Sequence, residues 1–104
     1  MKRIINGLRY DTEKAELLGE AESSLSCNDF GWWKEKLYRT KSGKYFLAGN
    51  GNALSQWSQS VGNNGRDAGS GIIPFSKLEA FEWAERHLDA EEVEENFNDE
   101  IQDA

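Results

Sequence analysis

The chain has 104 residues, a formal net charge of −7 and 38% hydrophobic residues, which suits one domain over residues 1–104 and leaves little room for a deep catalytic cleft beside a core. A single cysteine, Cys27, excludes an internal disulfide and fits a reducing compartment. Met1–Tyr10 hold no long apolar run, and no stretch approaches the ~20 apolar residues that span a bilayer, so the expectation is a soluble intracellular protein with no signal peptide and no membrane partner.

Asn6-Gly7 lies between the short apolar runs Arg3–Ile5 and Leu8–Tyr10. Both residues of such a turn reach positive φ, so the pattern predicts an N-terminal β-hairpin. Asp11-Thr12 resembles a helix N-cap, with Glu13 in the first turn. Ala15, Leu17 and Leu18 then form a short apolar stripe, and Gly19 stops it. The expectation is a two-turn helix that must pack on a sheet. Residues 20–26 are polar and suit an edge strand or a loop, and Asn28-Asp29 reads as a turn.

Trp32–Thr40 and Lys44–Ala48 are strand-like runs joined by Lys41-Ser42-Gly43, with Gly43 in the left-handed position of a three-residue loop. If Thr40 faces Lys44, then Leu37 faces Leu47 and Tyr38 faces Phe46. One face carries Trp33, Leu37, Tyr45 and Leu47, and the other carries Trp32, Tyr38, Phe46 and Ala48. Both are apolar, so either both are covered or one is a contact surface. Gly49–Asn52 ends the hairpin. Leu54, Trp57 and Val61 are spaced for a helical turn over Ala53–Val61. Gly62–Gly71 reads as an exposed loop. Ile72–Phe75 returns to the core, with the only proline, Pro74, suited to a strand at an edge.

Ser76 and Glu79 make a capping box for a helix over Lys77–Leu88. Asp89 caps a second short helix over Ala90–Phe97, which Val93 and Phe97 dock, and residues 98–104 fray. The fold class expected is α+β. A small antiparallel sheet, built from the N-terminal and central hairpins, packs with a short N-terminal helix and acidic C-terminal helices. The sheet part spans 1–78 and the acidic helices 76–97.

Charge divides along this chain. Residues 1–78 carry eight acids and eleven basic groups, or +3, and residues 79–104 carry eleven acids against Arg86, or −10. A field of this sign repels nucleic acid and attracts a basic protein surface. Catalytic chemistry has little to draw on. Cys27 and His87 are the only cysteine and histidine, and nothing beside Cys27 lowers a thiol pKa. They are too few for a zinc site, and the acidic segment has no glycine for a calcium loop. Gly49-Asn50-Gly51 lacks the third glycine and the helix of a dinucleotide loop. Lys34, Lys36, Arg39, Lys41 and Lys44 cluster on the aromatic hairpin, as in a single-strand grip, but the overall charge opposes nucleic acid. No catalytic residue, cofactor or metal is expected.

The segments Tyr10–Glu20, Leu37–Leu47 and Ala80–Glu85 resemble, in this order and over nearly the whole chain, a widespread group of small proteins encoded on phages and other bacterial mobile elements. Some small acidic proteins of this setting are anti-CRISPR inhibitors. The resemblance implies anti-defence activity in a host bacterial cytoplasm, by binding a Cas effector (type I Cascade ahead of Cas9 or Cas12) and blocking target DNA. The alternative is a structural or regulatory interaction protein of a mobile element, as a monomer or as a homodimer built through the aromatic hairpin face. The partner-binding residues expected are Glu79, Glu82, Glu85, Asp89, Glu91, Glu92, Glu94, Glu95, Asp99 and Glu100. Trp32, Tyr38 and Trp57 are the aromatic candidates for anchors.

Overall fold

A computed structural model describes residues 1–104. Strands β1 (Lys2–Ile5) and β2 (Leu8–Asp11) pair antiparallel about Asn6-Gly7. Asn6 and Gly7 sit at φ of 52° and 80°, as the turn requires. The main sheet has four antiparallel strands in the order β3 (Glu16–Glu22), β4 (Trp33–Arg39), β5 (Tyr45–Gly51) and β8 (Gly69–Phe75). Strands β6 (Gln59–Val61) and β7 (Gly65–Asp67) form a small exposed hairpin between β5 and β8. Helices α1 (Lys77–His87) and α2 (Ala90–Phe97) follow, and a single 3-10 turn covers Asn98–Glu100. The fold is α+β.

The central hairpin has the register that its sequence predicts, with Leu37 opposite Leu47 and Tyr38 opposite Phe46. Thr40 N–H donates to the Lys44 carbonyl at 2.7 Å, and Gly43 takes φ 88°. Both apolar faces are covered, by different means. Leu37, Tyr45 and Leu47 pack with Trp57, Trp83, Val93 and Phe97 under the two helices. Tyr38, Phe46 and Ala48 pack with Tyr10 and Ile72, with Ile5 against them. The first hairpin thus caps one face, with Tyr10 edge-on to Phe46 at 5.5 Å.

Three local expectations are corrected. No helix forms between Asp11 and Gly19. Asp11 does accept a backbone N–H, that of Glu13 at 3.0 Å, but this closes a turn only. The chain then enters edge strand β3, where Leu17 is exposed and Leu18 is buried. Two turns of helix are marginal alone, whereas a strand gains a ladder along β4. The register slips between Leu17 and Gly19, so Leu18 is the extra residue of a bulge.

Second, Gly49–Asn52 does not end the hairpin, because β5 runs on through Gly51 and pairs with β8 from Gly69. Third, Leu54, Trp57 and Val61 share no helical face. Leu54 is exposed, Trp57 is buried and Val61 belongs to β6. In the segment 62–71, residues 62–68 are exposed as expected and Gly69 and Gly71 are half-buried, yet the segment contains β7 and the start of β8. Pro74 lies on an edge strand, as its missing N–H favours.

The helix caps agree with the sequence. Ser76 Oγ accepts the Glu79 N–H at 3.1 Å, and Glu79 Oε1 accepts the Ser76 N–H at 2.8 Å. Asp89 accepts the Glu92 N–H at 2.9 Å. Gly19 lets the helices close on β3, since a Cβ there would meet the Leu88 side chain at 2.6 Å. No helix is long and apolar enough to cross a membrane.

Candidate functional site

The acidic residues of the C-terminal quarter fall into two sets. One set holds the helices together. Glu79 and Asp89 are caps, and Asp99 and Glu100 clamp Lys77 at 2.6 and 3.4 Å. This contact raises the Lys77 pKa and lowers that of Asp99, mainly through their hydrogen bond. It also ties residues 99–100 to the start of α1, where the sequence predicts fraying. The other set has no cationic partner. Glu82, Glu85, Glu91, Glu94 and Glu95 are exposed and Glu92 is half-buried, and none forms a salt bridge. Their carboxylates stand on two capped helices, so their spacing is set by the fold.

The basic hairpin is less free than its composition suggests. Arg39 pairs with Glu16 at 2.6 Å, which raises the arginine pKa. Lys34 and Lys36 lie opposite Glu22 and Glu20 in the β3–β4 ladder. Of the three aromatic anchors expected, two are withdrawn from any surface. Tyr38 is buried against Phe46, with ring centroids 5.1 Å apart, and burial raises its pKa. Trp57 is buried under the helices. Trp32 is half-buried at the entrance to β4.

A cluster that composition does not reveal centres on Glu35. It is 5% exposed, the only charged residue in the core. Its Oε1 accepts the indole N–H of Trp83 at 2.9 Å, and its Oε2 accepts that of Trp57 at 2.9 Å and the side-chain amide of Gln56. Three neutral donors and no cation hold this carboxylate. The sequence carries one signal for it. In a strand alternating Trp33, Glu35, Leu37, an acid in phase with two apolar residues must be buried. Trp57 reaches Glu35 because Gly49 faces it without a side chain.

His87 sits above this cluster, 5.5 Å from the Trp33 ring and 5.0 Å from Trp83. Part of its ring reaches solvent while the tryptophans pack on the rest. This desolvation lowers its pKa from the ordinary 6.5. The pull of Glu35 opposes the shift and Arg86 adds to it. The folded state therefore binds the proton less tightly than the unfolded chain. Stability that is complete above pH 6.5 falls as pH drops through that value. Proton NMR of the His87 ring should give a midpoint below 6.5; a midpoint above it would mean that the Glu35 attraction dominates.

No three His, Cys, Asp or Glu side chains are placed to hold a metal ion, and Cys27 lies exposed on a loop. Glu35 has its oxygens committed to structural donors. What the arrangement offers is a set of exposed, unpaired carboxylates carried on two capped helices. Comparison with family models, with curated proteins and with solved structures finds no match.

Proposed function

We propose that the protein is a non-catalytic inhibitor that binds a partner protein through the acidic face of α1 and α2. The partner chemistry it fits is a basic, nucleic-acid-binding surface. In the mobile-element setting that the sequence suggests, this is an anti-CRISPR role, in which the acidic face occupies the DNA channel of a Cas effector. The observation that carries the reading is the set of unpaired carboxylates Glu82, Glu85, Glu91, Glu94 and Glu95 on two capped helices. Fixed charge of this kind raises association rate and competes with phosphate. A homodimer through the aromatic face of the central hairpin is disfavoured, because the first hairpin covers that face.

The test is competition with target DNA for purified effectors. Exposed pairs contribute roughly 0.2–1 kcal/mol each, so reversing Glu91, Glu92, Glu94 and Glu95 to lysine should weaken inhibition by about tenfold or more. Raising salt should weaken the wild type as well. Unchanged inhibition by the reversed protein would remove the acidic face from the interface.

A further inference from the structure

Between α1, α2 and the final residues runs a groove of about 560 Å³. Its apolar lining comes from Phe81 of α1, Leu88 at the α1 C-cap, Val93 of α2, and Ile101. The outer wall exists because Lys77 clamps Asp99 and Glu100, which brings Ile101 alongside the helices. Glu85, Glu94 and Glu100 line the same groove, and no lysine, arginine or histidine does. Glu85 and Glu94 are unpaired. Ile101 is 37% exposed.

We propose that this groove is the anchoring site for a basic amphipathic segment of a partner protein, its apolar side chains on Phe81, Leu88, Val93 and Ile101 and its lysines or arginines against Glu85 and Glu94. The inference rests on the acidic-face reading and goes further by naming where the contact is held. Surface charge alone gives fast but weak and unoriented binding. Affinity requires a desolvated apolar centre within a charged rim, and this groove is the place on the acidic side where the two coincide. Charge complementarity selects the occupant. An acidic or neutral apolar segment would leave or oppose the rim carboxylates, whereas a basic one neutralises them. A helix lying in such a groove presents apolar groups at i, i+3, i+4 and i+7 to its apolar lining.

Fluorescence anisotropy on the full chain tests this with a labelled peptide of about 14 residues, leucines and lysines arranged on opposite helical faces. A peptide of identical composition, scrambled so that no apolar face forms, is the control. At about 150 mM salt, where exposed charges are screened beyond a Debye length, the amphipathic peptide should bind about tenfold more tightly than the scrambled one. Two variants with the same charge change then locate the site. Glu94→Gln with Ile101→Lys alters the groove, and Glu95→Lys alters the surface beside it. Both sets of positions are exposed, and circular dichroism checks that the fold is kept. The groove variant should lose about tenfold in affinity and erase the preference for the amphipathic peptide, and Glu95→Lys should lose only about two- to threefold. Equal binding of the two peptides, or equal loss in the two variants, would overturn the groove and leave the charged face standing. Failure of either peptide to bind even at about 20 mM salt would overturn both readings.

Discussion

Replacing Glu35 by alanine should cost about 3 kcal/mol of folding stability, with a fall in Tm of roughly 15 °C for a domain of this size. The carboxylate is the common acceptor for the indole N–H groups of Trp57 and Trp83 and the Gln56 amide. Gln56 is exposed and finds water after the substitution. The two indoles are buried, at 6% and 2% exposure, and each is left with an unsatisfied donor. Removing the buried charge itself is favourable, which keeps the loss below the sum of three charge-assisted bonds. Glu35→Gln should fall between, since one amide oxygen serves one indole while its NH₂ confronts the other. Urea titration of the three proteins checks the order. A loss under about 1 kcal/mol for the alanine variant would show that water satisfies the indoles and that the cluster does not hold the helices.

Gly49→Ala should destabilise by a similar amount, and its neighbour Gly71→Ala should not. The two glycines face each other across β5 and β8. A Cβ at Gly49 would stand 2.2 Å from Cε2 and 2.6 Å from Nε1 of Trp57, which is held in the core by Glu35. The indole has to move, at an overpacking cost of about 1–3 kcal/mol, with weakening of its bond to Glu35 in addition. At Gly71 the nearest atom is at 3.6 Å, an ordinary contact. There alanine reduces the freedom of the unfolded chain and should be neutral or stabilising by up to about 1 kcal/mol. Denaturation midpoints for the pair, with tryptophan emission as the probe, separate the effects. Equal stability of the two variants would mean that Gly49 serves the strand and not the indole.

Both expectations turn on residues whose roles sequence patterns convey unevenly. The Asn6-Gly7 hairpin, the central register, the Ser76–Glu79 box and the Asp89 cap are legible because each is set by neighbours within a few positions. The acids of α1 and α2 were equally visible, but their division into caps, a clamp and unpaired charges was not. That division depends on Lys77 meeting Asp99 across 22 positions. Tyr38 and Trp57 read as exposed anchors only while their covering elements were unknown.

By itself, the sequence determined an α+β domain with a negative C-terminal quarter on capped helices, since caps, turns and charge are local or additive properties. Tertiary structure decided the rest. It made 16–22 an edge strand, because β4 supplied a ladder that a two-turn helix could not match. It turned glycines that read as a turn into strand positions, because an indole 8 residues from Gly49 needs the space. It buried Glu35 among three donors drawn from two distant segments, Gln56-Trp57 and α1, and closed a groove over Phe81 and Leu88. Long-range packing energies of this kind have no signature within a short window of residues, so only the assembled fold could set them.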